Sequence, residues 1–223
     1  ALAAFVRVNK RLNELDHSLL EVFCANISVA FDNAELNKKI SDLAFMDALV
    51  GLPNRNGLLQ LLEASNADDI NLALVDIDSF SDLNSVLDQS FGDLVLISVA
   101  QRMQQVFCPH VRVARVGNDV FALLGPGSQV NPQRVSEVFS TPIQVGEEHL
   151  RLSVTTGLVH MDRDKTSSAG LLRNAAVALK QCKVFTRGQS LYFEPSHANA
   201  ARERMQMLSH LRLAFSAERL LVI

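Results

Sequence analysis

Two patterns of apolar positions divide this chain. From Asn9 to Met46 there is no glycine or proline. Leu12, Leu15, Leu19, Val22 and Phe23, and later Leu36, Ile40 and Leu43, recur at helical spacing. One or two long helices are predicted; a continuous one would reach about 57 Å, longer than a small domain is wide. Such a helix serves either as the core of an upstream unit or as a connector that pairs with a second copy, although the heptads of its apolar residues are irregular. Gly51-Leu52-Pro53-Asn54 ends the run.

Beyond it the period shortens and alternates. Leu58, Leu59, Leu61 and Leu62 predict a short helix, and Ile70 to Ile77 a buried strand. A helix is expected from Ser79 to Leu87. Phe91-Gly92-Asp93 reads as a break, with Asp93 opening the next helix, Leu94 to Phe107. Val111 to Val116 and Val120 to Leu124 read as the arms of a hairpin around Gly117-Asn118-Asp119. Gly125-Pro126-Gly127-Ser128 reads as a loop, and Asn131-Pro132 opens a short helix. A second hairpin, Ile143 to Val145 with His149 to Val159, turns near Gly146. A helix from Ser168 to Phe185, a strand from Ser190 to Phe193 and a helix from Ala198 to Ala217 complete the chain. Strands that come both as hairpins and alternating with helices favour an α/β (α+β) fold, with a central, mostly antiparallel sheet flanked by helices.

Composition narrows the function. The chain has 223 residues, 21 of them Lys or Arg and 24 Asp or Glu, for a net charge of -3. That balance argues against nucleic-acid binding, which needs clustered positive charge, but not against a single nucleotide. Cys24, Cys108 and Cys182 form no close pair, which fits a reduced, cytoplasmic setting. The six histidines show no metal-ligand spacing. No apolar run reaches membrane-spanning length and no signal peptide is visible. The start at Ala1 and the apolar end Leu220-Leu221-Val222-Ile223 suggest a piece of a longer protein.

The candidate chemistry lies in two acid clusters. Asp76-Ile77-Asp78-Ser79-Phe80 ends a predicted strand, and Asp119 lies in the predicted hairpin turn. Metal-assisted phosphoryl transfer needs hard oxygen ligands, commonly one or two carboxylates plus substrate phosphates. Asp76 and Asp119 could supply them if their strands are neighbours, with Asp78 a further candidate. Taken alone, Asp-x-Asp is a weak signal and reads more readily as strand-end acids facing water.

The wider sequence is similar to one family. Asp47-Ala48-Leu49-Val50-Gly51-Leu52-Pro53-Asn54-Arg55 resembles the Asp-x-Leu-Thr-Gly-Leu-Pro-Asn-Arg signature that opens GGDEF domains, the diguanylate cyclase family. The run from Asp76 to Phe80, followed by Asn84 and Gly92-Asp93, keeps that family's spacing. Arg115-Val116-Gly117-Asn118-Asp119-Val120-Phe121 falls where the Gly-Gly-Asp/Glu-Glu-Phe turn belongs. Ser153 to Gly157 resembles the following core strand, and Ala175 to Arg187 the closing helix.

The resemblance implies a nucleotidyl-cyclase, GGDEF-like fold preceded by a long N-terminal helix. It implies that Asp76, the Ile77 carbonyl and Asp119 hold magnesium, with Asp119 also the catalytic acid. Asn84 and Asp93 would read guanine by accepting from its N–H groups. Lys183 and Arg187 would meet the phosphates of GTP, and Gly117 would allow close approach of the nucleotide.

The departures are as specific. The second glycine is Asn118, and the second acid is Val120, which can neither bind metal nor take a proton. Losing a general base or a metal-positioning carboxylate typically costs about 10²–10⁴ in rate. Ser81 replaces an expected phosphate-binding lysine. Ser85 and Asp88-Gln89 also depart, and Cys108 and Val111 occupy the positions of the product-inhibition motif. The expected organisation is a helical connector or sensor end over 1–43, a GGDEF domain over 44–195, and over 196–223 a linker helix that resembles the approach to an EAL phosphodiesterase domain. A degenerate domain that binds GTP and magnesium and regulates that neighbour is the leading expectation. An active diguanylate cyclase, condensing two GTP across a homodimer, and a scaffold without nucleotide are the alternatives.

Overall fold

The computed structural model describes residues 14–65, 69–87, 89–161 and 166–195. The expected helix from Ala198 to Ala217 and the expected linker over 196–223 lie outside the described residues, as does Leu12. The chain divides into two compact units, Ala1–Met46 and Asp47–Ile223.

In the first unit a single helix, α1, runs from Glu14 to Phe45, about 48 Å at the standard rise. Leu15, Leu19, Val22, Val29, Leu36, Ile40 and Leu43 are all more than half exposed. Read with Asn26 and Asn33, these positions alternate in steps of four and three without a break. Counting apolar residues alone makes the heptads irregular, because two positions of the series are asparagines.

The second unit is layered. Its main sheet has five strands in the order β2-β3-β1-β6-β7, formed by β1 (Ile70–Ile77), β2 (Arg112–Arg115), β3 (Val120–Pro126), β6 (Val154–His160) and β7 (Ser190–Tyr192). All pairings are antiparallel except β6 with β7, as the mixture of hairpins and helical crossovers predicted. β1 lies at the centre and is buried along its whole length.

Alternation along the strands sorts the core into two layers. Ala73, Val75, Ile77, Phe121 and Leu123 face α3 (Phe80–Leu87), α4 (Gln89–Phe107) and α5 (Pro132–Phe139). Leu72, Leu74, Ala122 and Leu124 face α2 (Arg55–Ala64) and α6 (Ser168–Phe185). Local capping sets where these helices start. Asn54 accepts from the Asn56 and Gly57 amides, Asn131 from the Arg134 amide ahead of Pro132, and Ser167 from the Gly170 amide.

Three local readings are corrected. Gly92 and Asp93 do not break a helix; α4 begins at Gln89 and carries both inside it. Gly92 is small for packing: a Cβ there would overlap Asn84 Oδ1 of α3. The predicted strand from His149 to Val159 is two strands. β5 (Glu148–Leu150) pairs with β4 (Ile143–Val145) in a separate hairpin, and β6 starts afresh at Val154 in the main sheet. Gly125 and Pro126 continue β3 rather than forming a loop, with Gly125 opposite Asn71.

Candidate functional site

The register of the central strands builds the site. Asp76 is paired with Val120 on one side and Thr155 on the other. All three point to the α6 side of the sheet, because Leu74 and Ala122, two residues away, do so. The position that lost its acid therefore stands directly across from the buried Asp76. Val120 is half-buried and packs on the apolar layer that includes Leu72 and Leu124.

Asp119 lies one residue outside the pairing. Its carbonyl accepts the Ile77 amide at 3.1 Å, which fixes the turn against the end of β1. The sheet thus places Asp76, Ile77 and Asp119 at the same end of β1. Asp76 is 2% exposed. Burial pushes its carboxyl above the usual aspartate range, against the hydrogen bond from Lys183, and the nearby Asp119 and Asp78 add to the rise.

A buried carboxylate beside two others calls for a cation, and the chain provides one. Lys183 Nζ of α6 is 2.5 Å from Asp76 Oδ2. Four residues on, Arg187 Nε is 3.3 Å from Asp78 Oδ1. The two basic residues expected to meet phosphates therefore sit on the acids of β1. Asp78 is committed to the fold: Ser153 Oγ and Thr155 Oγ1 each donate to it at 2.6 Å. Thr155 Oγ1 in turn accepts the Gly188 amide at 2.9 Å. Sequence reading missed this hydroxyl pair, whose only signal was its place in the core-strand motif.

Among the described residues no three His, Cys, Asp or Glu side chains are grouped to hold a metal by themselves. The carboxylates of Asp76 and Asp119, completed by phosphate oxygens, are hard oxygen donors of the kind magnesium takes, although Asp76 is buried and paired with Lys183. The demand of Asp76 for a cation supports that fit.

The turn itself is held from outside. Arg115 donates to the Asn118 carbonyl at 2.6 Å, and through its other terminal nitrogen to both oxygens of Asp47, at 3.2 and 3.1 Å. Asp47 also accepts the Leu49 and Val50 amides at 3.0 Å. The two signature stretches, far apart in sequence, are thus one structural unit. Neither Gly117 nor Asn118 is in the left-handed region. A Cβ on Gly117 would come 3.3 Å from Val120 Cβ and Cγ2. Both turn residues are exposed, beside an open cleft of about 540 Å³ that Arg55 and Asn56 also line.

Asn84 of α3 packs against Gly92 in the first turn of α4, the residue before Asp93. Asn84 Oδ1 is buried with no hydrogen-bond partner among the described residues, set against Gly92. Asp93, the next residue, is half-buried.

The model of the family "Diguanylate cyclase, GGDEF domain" matches residues 44–189. The chain belongs to the GGDEF family. A second family model, a domain of unknown function (DUF3369), matches residues 1–40. The chain is 30% identical over 200 residues to the bifunctional diguanylate cyclase/cyclic di-GMP phosphodiesterase MucR of Pseudomonas aeruginosa, covering 85% of this chain and 29% of that protein. It is 28% identical over 225 residues to the cyclic di-GMP phosphodiesterase NbdA of the same organism, covering 96% of this chain and 26% of the relative. It thus spans under a third of either. The solved GGDEF domain of TpbB (YfiN) from Pseudomonas aeruginosa superposes with a TM-score of 0.64 at 24% identity, covering 70% of this chain and 99% of that one. That likeness bears on the fold, which is the mixed, mostly antiparallel GGDEF architecture. No helix among the described residues is long and apolar enough to cross a membrane.

Proposed function

We propose that residues 44–195 form a degenerate GGDEF domain that binds GTP with magnesium and regulates an attached EAL-type phosphodiesterase in cyclic di-GMP signalling. Residues 1–43 act as the connector from an upstream sensor, and residues 196–223 lead toward the phosphodiesterase. The setting is the cytoplasm.

The observation that carries this reading is the pairing of Asp76 with Val120. One buried carboxylate is kept, and the position directly opposite is apolar. The site retains Asp76, the Ile77 carbonyl and Asp119 for magnesium, and Asn84 and Asp93 for guanine. Lys183 and Arg187 lie within reach of phosphates there, with Gly117 leaving room beside the turn. Magnesium, when bound, neutralises phosphate charge. Asp119 is the catalytic acid that remains, with Val120 in place of the turn's second carboxylate.

Calorimetric titration of GTP with magnesium tests the binding; no heat near millimolar GTP overturns it. Turnover is tested by restoring the signature with Asn118→Gly and Val120→Glu. Cyclic di-GMP made by that variant but not by the wild type supports an intact frame with a disabled turn. Product from the wild type, abolished by Asp119→Ala, would instead make it an active cyclase. A scaffold without nucleotide requires that Asn84→Ala and Asp93→Ala leave regulation unchanged.

The seam of α1 favours a homodimer as the working form. Leu15, Val22, Val29, Leu36 and Leu43 alternate with Leu19, Asn26, Asn33 and Ile40, and an asparagine in such a seam fixes register between two parallel helices. Val29→Asp with Leu36→Asp should shift sedimentation to the monomer; an unchanged dimer would reject the α1 seam.

A further inference from the structure

Asp76 and Asp78, at and just past the end of β1, meet Lys183 of α6 and Arg187 just beyond it one for one, but the two pairs are not equivalent. Asp78 is served by Ser153 and Thr155 as well as Arg187, so its oxygens stay hydrogen-bonded if Arg187 leaves. Asp76 is buried, and Lys183 is the only side chain paired with it among the described residues. Breaking a buried pair by removing one partner leaves an uncompensated charge, which is the costly case. Asp119 and Asp78 nearby make that charge costlier still. Lys183, by contrast, is 38% exposed, on a flexible stem that can swing out to water. It can leave Asp76 cheaply only when another cation arrives.

We propose that Lys183 is the resident cation of the site and changes partners on loading. A divalent ion takes its place on Asp76 while its ammonium passes to the phosphates of the incoming nucleotide. This rests on the metal and nucleotide reading above. Metal alone must break the pair and leave Lys183 without an anion. Nucleotide alone must draw Lys183 away and orphan Asp76. Each ligand therefore strengthens the other, and the coupling is reciprocal. Val120 makes the exchange strict, since an acid there would offer Lys183 a second carboxylate on the same face.

The test is manganese binding to the full chain without nucleotide, followed by electron paramagnetic resonance slightly above neutral pH. Lys183→Met should bind the ion about tenfold tighter than the wild type, because a closed pair lowers apparent affinity by the fraction of open molecules. Asp76→Asn with Lys183→Met should lose that binding. Lys183→Gln keeps a hydrogen-bond donor for Asp76 without the charge, and should behave as Lys183→Met does even if the latter folds poorly. Equal affinities in wild type and both single variants would overturn the exchange. If no protein holds manganese even with GTP present, the metal and nucleotide reading falls and the exchange falls with it. If manganese and GTP bind together normally yet the single variants gain nothing, the exchange alone is wrong.

Discussion

Restoring the missing acid by Val120→Glu should make the stability of this domain depend on magnesium. Val120 is the register partner of Asp76 on the same face, so the new carboxylate begins from a Cβ about 5 Å from that of Asp76. Two unit charges about 5.5 Å apart at an effective dielectric constant near 20 repel by about 3 kcal/mol. Lys183, 2.5 Å from Asp76, offsets part of this. Half-burial at position 120 lets the longer glutamate lean toward water. The expected cost without metal is therefore about 1–3 kcal/mol. A divalent ion between the two carboxylates reverses the sign, so saturating magnesium should close or invert the gap to wild type. Urea unfolding with and without magnesium at matched ionic strength reads both numbers. Val120→Gln, equal in size and uncharged, should show no magnesium dependence beyond that of the wild type. If Val120→Glu is as stable as wild type without metal, or its deficit ignores magnesium, the two positions do not share a site and the reasoning fails.

Three further outcomes follow from the same geometry. A Cβ on Gly157 would overlap the Leu179 amide and the Ala175 carbonyl and approach Leu179 Cα to 2.7 Å; Gly157→Ala should therefore cost about 3 kcal/mol and lower the melting temperature, and a melt unchanged from wild type would show that α6 can back away freely. Arg115→Met removes charged hydrogen bonds to Asp47 and the Asn118 carbonyl, for about 2 kcal/mol, and should speed amide exchange through 117–119; unaltered exchange there would deny that Arg115 holds the turn. Asp76 has a raised carboxyl value in the fold, so the folded state holds its proton more tightly than the unfolded one. Its contribution is most favourable below the ordinary aspartate value and is lost as pH rises through the raised one. Denaturant midpoints of Asp76→Asn should lack that decline, and its advantage over wild type should grow across the window and then level off; parallel profiles would count against a raised Asp76.

The sequence by itself determined the family, the mixed sheet and the identity of the missing acid. These are local or pattern properties. Strand-like runs name the strands, Asn131 with Pro132 names a helix start by its capping chemistry, and the signature stretches carry fixed spacing. Local reading failed where a residue's reason lay in another element. Gly92 looked like a helix break because its purpose, room for Asn84, is visible only when α3 and α4 are packed. The run from His149 to Val159 looked like one strand because nothing along it reveals that its two ends join different sheets. The four-and-three spacing along α1 is interrupted at Asn26 and Asn33, positions an apolar count skips.

Only the tertiary structure decided what the site contains. Strand register, set by the whole of β1 and β3 rather than by any motif, placed Val120 opposite Asp76. The packing of α6 across that face brought Lys183 onto the buried acid, because a carboxylate out of water must find a counter-charge. The pairing of β1 with β6 committed Asp78 to Ser153 and Thr155, with Arg187 joining them from beyond α6. Which of the two acids of Asp-x-Asp is held by hydroxyls of the fold is a question of partners. Partners are set by contacts between residues far apart along the chain, which a local pattern does not encode.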